Sequence, residues 1–595
     1  MHEFIATPEQ KAIIEAELKP IAVVACPGSG KTATAVRRVA EIRRRLENDN
    51  DRGHVALLSY SNVAVDTFRS EYRLLRGRDD GSDRVIIQTV DAFITSFLLR
   101  PHGSRVMGCT RTPFLVLGDE PFLANYRFGK DNQKTFGLED LTLDRSKGKT
   151  VFHRRLKNGA TVELDAELEE LARKKVKELA KVGGYTYSIG RAWALALLNK
   201  EPRLRDALAR RFPQILIDEA QDIGSFESAV LDLLHSAGST ISLVGDFHQS
   251  IYGFNFATGS YLRDFSKRQG VLSLPLTQNR RSLPGILAVA NSLSGTSSKP
   301  FRTTASRPSG AYYWRYDEKK LPQLMSTWPA ELVAAGYELS EAVILCRGNA
   351  LLERLTTASS KLGLSTVKHF AAAALEREQN ADMSKAVDHC AQAVLNLVRG
   401  LPDSLIGDLK GMRGDADMRI LRRLVWKLLR SPDSGIPSAT REAKTDWLPT
   451  LKNNLGGWLN ALEAQSSFSR VPTWEARLKS TKLASTGPLL VNDLEQNEWG
   501  ELRCGTVHSV KGEGIPAVLY LTNKSDLNAM LSGTDGEEGR IGFVAVTRAR
   551  DLLVIGIPKD TTSDIVDAMH RHGFTEWPPG HLATLVEQQV ISAVT

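Results

Sequence analysis

The sequence predicts an α/β protein built from two parallel sheets, each interrupted by a mainly helical insertion. Short apolar runs recur along the chain and end in small or acidic residues, a pattern typical of strands buried on both faces of a parallel sheet. Helix-like stretches such as 32–46 and 225–235 lie between them, and this alternation is typical of doubly wound folds. The predicted strands cover residues 21–25, 54–60, 84–89, 215–218, 241–245, 342–346, 517–521 and 552–557.

The strands fall into two groups, before and after about residue 260, which predicts two core domains. A chain of 595 residues is too long for one core, since domains usually hold ~100–200 residues. Two intervening stretches lack the strand pattern, and we interpret them as insertions. The predicted boundaries are 1–100 with 186–260 for the first core, 101–185 for its insertion, 261–374 with 490–595 for the second core, and 375–489 for a helical second insertion.

Composition excludes several classes of protein. The 77 basic and 69 acidic residues give a net charge of +8 and a pI near 9.1, which is compatible with a polyanion partner without requiring one. The five cysteines form no CxxC pair, which argues against a zinc ribbon, an iron–sulfur cluster or a disulfide framework and favours a reducing cytoplasm. The N-terminus lacks a signal pattern, and no apolar run is long enough to span a membrane.

The strongest local signal is a phosphate-binding loop, Ala25-Cys-Pro-Gly-Ser-Gly-Lys-Thr32, between a predicted strand and a predicted helix. Gly28 and Gly30 let backbone N–H groups turn toward phosphate oxygens, Ser29 lies between them, and the helix N-terminus adds partial positive charge. Lys31 is placed to reach the β- and γ-phosphates, and the Thr32 hydroxyl is placed to bind Mg²⁺. This order of strand, loop and helix predicts an ATP site.

An acidic pair supplies the complementary chemistry. Asp218 and Glu219 follow the apolar run Ile215-Leu-Ile, so the carboxylates lie at the end of a predicted strand. Asp218 is placed to hold the Mg²⁺ shell, and Glu219 to polarise the attacking water. Acidic pairs are common in surface loops, but the upstream phosphate loop favours the catalytic interpretation.

Taken together, the motifs resemble those of the UvrD/Rep family of superfamily 1 helicases. Asp218-Glu-Ala-Gln-Asp222 and Val244-Gly-Asp-Phe-His-Gln-Ser-Ile-Tyr-Gly-Phe254 resemble motifs II and III, and other motifs follow in family order. The resemblance implies two RecA-like domains with ATP bound between them. The further matches are 7–10 (Q motif), 59–64 (motif Ia), 278–282 (motif IV), 506–512 (motif V) and 543–549 (motif VI).

The resemblance assigns roles around the nucleotide. Arg281 and Arg548 match the family's two arginines that neutralise charge on the γ-phosphate, and Gln249 matches its γ-phosphate sensor. Both arginines lie beyond residue 260, so ATP would draw the two domains together. Gln10 matches the glutamine that recognises adenine.

Further assignments concern nucleic acid, which a motor must grip through sequence-tolerant stacking and backbone contacts. Tyr60 and Phe254 fall at aromatic positions of motifs Ia and III, with core packing as the alternative for each. The remaining contacts implied by the resemblance are Asn62, Thr89 and His508.

A basic group in the first insertion is placed to touch duplex phosphates at a single-strand/double-strand junction, although a solvated helix face explains it equally well. This group consists of Arg154, Arg155, Lys157, Lys174, Lys175 and Lys177.

The chain departs from the family pattern at three positions. Arg280 stands where a tyrosine usually stacks on adenine, and a guanidinium plane can also stack on a base. Asn255 replaces the usual arginine after Phe254. Glu513, expected at the nucleotide, is offset by one position in Lys-Gly-Glu-Gly. The motif V ending and the phosphate loop resemble a UvrD-like subgroup that contains the helicase subunits of Gabija-type antiphage systems.

The predicted activity is ATP- and Mg²⁺-dependent movement along single-stranded DNA, with 3′-to-5′ polarity implied by the resemblance. One alternative is an ATPase subunit that senses DNA and licenses a partner nuclease. Another is a nucleotide-gated clamp with little turnover, against which the full set of catalytic residues argues. RNA as the track stays open, since base stacking does not distinguish the sugars. A repair protein is a further possible partner.

Overall fold

The computed structural model describes residues 4–77, 83–116, 121–129, 135–156, 161–251, 256–257, 259–348, 351–352, 354–355, 366–378, 383–401, 405, 409, 416–479, 483, 489 and 502–577. Over these ranges, no helix combines the length and the apolar character that crossing a membrane requires. Phe254 and Asn255, both singled out from the sequence, lie outside the described residues.

Two six-stranded parallel sheets form the centre of the described fold. In chain order the strands are β1 (Ile21–Ala25), β2 (Val55–Ser59), β3 (Val85–Thr89), β4 (Phe114–Leu115), β5 (Leu141–Ser146), β6 (Lys149–Arg155), β7 (Thr161–Glu163), β8 (Gly184–Tyr185), β9 (Gln214–Ile217), β10 (Thr240–Gly245), β11 (Leu272–Leu276), β12 (Gln278–Asn279), β13 (Lys299–Pro300), β14 (Gly310–Tyr316), β15 (Ala342–Cys346), β16 (Val398–Arg399), β17 (Ser469–Arg470), β18 (Arg503–Thr506), β19 (Ile515–Leu521), β20 (Ala549–Pro558) and β21 (Thr575–Glu576).

The first sheet has the order β11-β1-β10-β9-β2-β3 and the second the order β18-β15-β19-β20-β14-β21, with parallel pairing throughout. The main α-helices span Pro8–Glu15, Lys31–Asn48, Asn62–Arg76, Val90–Ile94, Ala166–Lys181, Tyr187–Lys200, Pro202–Arg211, Ser225–Ser236, Ser260–Phe265, Pro284–Ser294, Leu321–Ala334, Thr366–Glu378, Met383–Leu395, Ala416–Arg430, Leu448–Gln465, Lys524–Leu531, Glu537–Val546 and Ser563–Arg571.

Apolar residues on both faces of each sheet explain why these segments form buried strands. In β1, Ile21 and Val23 belong to one hydrophobic cluster, whereas the intervening Ala22 belongs to the cluster on the other face. In β15, Val343 and Ile344 are divided between two clusters in the same way. The two-sided burial follows from the alternation of side chains along a strand and accounts for the continuous apolar runs in the sequence.

The predicted strands are present, with bounds shifted by up to three residues, and the sheets contain further strands that the sequence pattern missed. The missed β11 and β18 lie at sheet edges, where residues such as Leu272 and Arg503 are exposed and the apolar run is broken. Because β11 pairs with β1, the first core continues to residue 276, which moves the predicted boundary at 260 toward the C-terminus.

The first insertion differs from the predicted, mainly helical one. Strands β5, β6 and β7 form an antiparallel sheet, and the helix Ala166–Lys181 follows it. Leu141–Leu143 of β5 and Phe152 of β6 are buried, whereas the remaining positions of the three strands are half-buried or exposed. Charged residues such as Arg145 and Arg155 occupy exposed positions, so the apolar signal of a strand is weak here.

The second insertion is helical, as predicted, and has its own hydrophobic core. Trp447, Trp458 and Trp474 are buried in it, and the indole N–H groups of the first two donate to the backbone oxygens of Pro437 and Leu424. The helix Thr366–Glu378 packs in this core rather than on the second sheet, so the insertion begins nearer residue 366 than the predicted 375.

Candidate nucleotide site and nucleic-acid contacts

The phosphate loop has the backbone that its glycines require. Gly28 and Gly30 have φ angles of 67° and 81°, in the left-handed region that favours glycine. A Cβ on Gly28 would collide with the Cβ of Arg281, so a side chain is also excluded by a close approach from motif IV. The helix starting at Lys31 has no side-chain cap, which leaves its first N–H groups for an anion.

The remaining predicted residues of the loop are in place. Ser29 is buried and its hydroxyl has no hydrogen-bond partner. Thr32 is half-buried in the first turn of the helix, next to Lys31. These positions agree with the predicted phosphate and Mg²⁺ contacts, which stay predictions.

Gln10 lies directly against the phosphate loop. The Thr7 hydroxyl caps the helix Pro8–Glu15, and the Gln10 side chain closes the capping box by accepting from the Thr7 N–H at 3.0 Å. The Gln10 amide nitrogen donates to the backbone oxygen of Ser29 at 3.2 Å. The predicted adenine-reading residue is therefore tied to the phosphate loop by its own side chain.

The two carboxylates at the end of β9 are electrostatically different. Burial and the adjacent charge of Glu219 raise the pKa of Asp218 to about 7, and Lys31 opposes that shift. Burial alone would raise the pKa of Glu219, but the positive charges of Lys31 and Lys511 outweigh it and lower the pKa to about 2. Glu219 also has a φ of 55°, an uncommon left-handed backbone for this residue. The surrounding positive charges thus favour the charged form of Glu219.

The donor set fits a hard divalent cation such as Mg²⁺. One oxygen of Asp218 is buried without a hydrogen-bond partner, which is costly for a carboxylate unless a cation lies beside it. Across the described ranges, no group of three or more His, Cys, Asp or Glu residues could hold a metal. Mg²⁺ commonly needs only one or two carboxylates and takes its other ligands from substrate phosphates and water. Asp218, with the Thr32 hydroxyl, suits this mode of binding.

Arg548 reaches the first domain from the second. Its guanidinium donates to the Gln249 side-chain oxygen at 3.3 Å and to the backbone oxygen of Glu513 at 3.1 Å. Burial lowers the pKa of Arg548 to about 10, and the charge of Glu219 opposes this shift. The amide nitrogen of Gln249 is buried without a partner. The structure therefore brings Gln249, Arg548 and Glu219 together.

Arg281, which is half-buried, is the second arginine at the site. It donates to the backbone oxygens of Thr547 and Gly512, each at 2.9 Å, and both acceptors belong to the second domain. Burial and the nearby positive charge of Arg548 lower the pKa of Arg281 to about 9. Two guanidinium groups this close favour binding of an anion between the domains.

An ion pair that sequence analysis did not single out joins the domains beside these groups. Lys511 of motif V donates to the carboxylate of Asp222 of motif II, and the side chains are only 7% and 1% exposed. Burial raises the pKa of Asp222 to about 7, and Lys511 opposes that shift. Both residues lie within motifs identified from the sequence. The sequence does not indicate, however, which charged residues of distant segments form a pair.

Two residues that were predicted to contact the nucleotide contact other protein groups in this structure. The Arg280 guanidinium lies over the Phe301 ring, 4.5 Å from its centroid, and donates to the backbone oxygen of Ile5. The Glu513 carboxylate pairs with Arg503 at 3.0 Å. Contacts of Arg280 and Glu513 with adenosine therefore stay predictions.

The predicted nucleic-acid contacts differ in exposure. Asn62 is exposed at the start of its helix, and the half-buried Thr89 caps the next helix by accepting from the Ala92 N–H at 3.1 Å. Tyr60 packs against the core of the first domain and its hydroxyl is buried without a partner, so its placement favours core packing over base stacking. His508 is paired with the backbone oxygen of Ile251 at 3.0 Å, which links motif V to motif III.

Comparisons with known proteins find similarity to DNA helicases. Residues 6–269 match the UvrD/REP helicase N-terminal domain family. A putative ATP-dependent DNA helicase, YjcD, of Bacillus subtilis is 25% identical over 61% of this chain and 54% of its own length. DNA helicase II of Escherichia coli is 24% identical over 92% of this chain and 83% of its own. One polypeptide of an ATP-dependent helicase/nuclease from Lactococcus lactis is 34% identical over 18% of this chain and 9% of its own. The chain thus spans about half the length of the Bacillus relative.

Proposed function

We propose that this chain, a UvrD/Rep-like member of helicase superfamily 1, hydrolyses ATP between its two core domains and uses the cycle to move along single-stranded DNA. The observation that carries the proposal is the contact of Arg548 with Gln249, at 3.3 Å, beside Glu219. It supplies second-domain charge to a site whose phosphate loop belongs to the first domain. Such an arrangement couples the state of the nucleotide to the distance between the domains.

The residues divide the chemical work. Gly28, Gly30 and Lys31 hold the phosphates, and Thr32 with Asp218 would hold Mg²⁺, which neutralises charge on the β- and γ-phosphates when bound. Glu219 orients and polarises the attacking water. Arg281 and Arg548 stabilise charge on the transferring phosphoryl group. These last two residues lie outside the domain that binds the phosphates, so hydrolysis and domain closure depend on each other.

The identity of the nucleic acid and the direction of movement are inferred from the similarity to known helicases. The relatives are named as DNA helicases, which supports DNA rather than RNA. The 3′-to-5′ polarity is proposed from the family resemblance. Asn62, Thr89 and His508 are the described residues proposed to meet the strand, while the basic residues of the first insertion are proposed to meet duplex phosphates at a junction.

The test is ATP turnover by the purified chain with and without single-stranded DNA or RNA, beside Lys31→Ala. We expect strong stimulation by DNA and its loss in the variant, because a phosphate contact worth on the order of 10²–10³ in kcat is removed. Strand-displacement assays on 3′- and 5′-tailed duplexes then read the polarity. Absence of turnover on both nucleic acids would contradict the proposal.

A second candidate function is an ATPase subunit that senses DNA and licenses a partner nuclease. The observation favouring it is the short match to part of a helicase/nuclease. Under this alternative the chain hydrolyses ATP on DNA but displaces strands poorly until a nuclease is added. Adding candidate nucleases encoded beside it, and measuring unwinding and cleavage together, separates the two functions.

A further inference from the structure

A short crossover segment, residues 277–282, connects the first sheet to the second domain and lies across the phosphate loop. It begins directly after β11, the edge strand of the first sheet. Its central residue, Asn279, is 2% exposed although its side chain is polar. A buried amide side chain must be hydrogen-bonded to be tolerated, so its partners indicate what it holds in place.

On one side the crossover segment is attached to the nucleotide site of the first domain. The Asn279 amide nitrogen donates to the backbone oxygen of Pro27 at 2.8 Å, and the Arg280 N–H donates to the backbone oxygen of Gly28 at 2.9 Å. The Glu9 carboxylate, one residue before Gln10, accepts from the Thr277 N–H at 2.8 Å. The segment is therefore fixed to the phosphate loop itself and to the helix that carries Gln10.

On the other side the same amide group fixes Arg281. The Asn279 side-chain oxygen accepts from the N–H groups of Arg281 at 2.9 Å and of Ser282 at 2.8 Å. The Ser282 hydroxyl donates to the backbone oxygen of Ala549 in the second domain. One planar amide thus bridges the phosphate loop and the backbone from which the Arg281 guanidinium extends.

We propose that Asn279 is a positioning residue that couples the phosphate loop to Arg281, so that the state of the loop sets where this guanidinium lies. The proposal rests on the proposed ATPase function and adds a residue to it. The coupling is short, because residue 281 packs so closely on the loop that its Cβ leaves no space for a Cβ on Gly28. The amide plane is rigid, so a shift of Pro27 moves residue 281 with it rather than being absorbed by side-chain rotation.

The test uses two substitutions that are expected to remove different hydrogen bonds of Asn279. Asn279→Asp keeps an oxygen for the two N–H groups but places a second oxygen against the Pro27 carbonyl, so it removes the attachment to the phosphate loop. Asn279→Ala removes both attachments. Asn454→Ala is the control, since the Asn454 side-chain nitrogen likewise donates to backbone oxygens, those of Asp433 and Gly435, but within the second insertion.

We expect both Asn279 variants to lower kcat by about 10²-fold, because misplacement of a charge-stabilising group by about 1 Å has such an effect. Affinity for a fluorescent ATP analogue should change far less than kcat. The double variant Asn279→Ala/Arg281→Ala should be no slower than Arg281→Ala alone, since a positioning residue acts through its partner. Asn454→Ala should leave kcat unchanged even where its melting temperature falls equally.

Hydrogen exchange supplies a readout that does not depend on turnover. Amides of the phosphate loop and of residues 280–282 should exchange faster in Asn279→Asp and not in Asn454→Ala. Wild-type kcat together with unchanged exchange in Asn279→Asp, or additive losses in the double variant, would overturn the positioning role. A wild-type chain that never hydrolyses ATP contradicts the proposed function instead, and the exchange experiment still decides whether Asn279 holds the loop.

Discussion

The two core sheets share one architecture but offer opposite ends of their strands to the nucleotide site. In the first domain the chemical groups follow their strands: Lys31 follows β1 and Asp218 follows β9. In the second domain they precede them: Glu513 comes before β19, and Arg548 directly before β20. Ligands of doubly wound folds usually lie beyond the carboxyl ends of the strands. The first domain follows that rule, and we propose that it binds phosphate by itself, whereas the second contributes only charge when the domains meet.

Among the substitutions suggested by this comparison, we expect the largest loss of activity for that of Arg548. Arg548→Ala should reduce kcat by a factor on the order of 10³, as removal of an arginine from a phosphoryl-transfer site does, with little change in nucleotide affinity. Steady-state ATPase assays and titration with a fluorescent nucleotide check this. Arg315→Ala, in β14 with its guanidinium near Glu576, is the control for a lost arginine. Unimpaired turnover in Arg548→Ala would mean that the second domain is dispensable for chemistry.

Glu219→Gln tests the first domain in the same way. The substitution keeps the size of the side chain but removes the base, so kcat should fall by about 10²–10⁴-fold while ATP still binds. Glu201→Gln, at the start of a first-domain helix, serves as the control. Loss of nucleotide binding, rather than of turnover, would show that Glu219 supports the loop instead of the chemistry. A chain that binds ATP without hydrolysing it would also reveal whether binding alone closes the domains.

The Asp222–Lys511 pair sharpens the comparison, because it joins the domains without belonging to the chemistry of either. Removing one partner leaves a buried charge without compensation, which typically costs ~3–5 kcal/mol. Lys511→Met should therefore lower the melting temperature or open the domains, measured by calorimetry and small-angle scattering. Asp222→Asn/Lys511→Met should recover part of the loss. A double variant as unstable as the sum of the single ones would contradict the pairing.

The smallest expected effect is a pH dependence of stability that arises in the second insertion, which lies outside both sheets. His369 and His389 face each other there, and burial lowers the pKa of both, that of His369 to about 4. Glu376 and Asp388 favour the charged form of His389, and Lys385 opposes it. Because the folded state favours neutral imidazole, its stability should be complete above about pH 6.5 and decline as the pH falls from there toward about 4.

The measurement is the melting temperature of the wild-type chain and of His369→Gln at pH 7.5 and 5.5. Protonation should cost the wild type on the order of 1 kcal/mol over this interval, and the substitution should reduce that dependence. His235→Gln, whose ring bonds to the backbone oxygen of Ser239 in the first domain, is the control. An equal pH dependence in all three proteins would place the acid sensitivity elsewhere.

Much of the fold was predictable because strand burial and helix period are local properties of the chain. Sequence alone identified the phosphate loop from Cys26 to Thr32 and the carboxylates after β9. Each of these features directly follows an apolar strand, so a local pattern reveals it. The edge strand β11 and the sheet of the first insertion were not identified in this way, because their exposed faces weaken the apolar signal. Their placement follows from pairing with β1 and with one another, which local pattern does not encode.

The sequence by itself indicated the family resemblance, the phosphate loop and the identity of the charged residues, because those depend on residue type and short spacing. Only the tertiary structure decided which of them meet. It packed Tyr60 against the core of the first domain, paired Glu513 with Arg503 and Lys511 with Asp222, and placed Asn279 across the phosphate loop. Contacts between residues some 250 positions apart depend on how two separately folded sheets pack, and packing depends on the shape of whole surfaces rather than on any local run of residues.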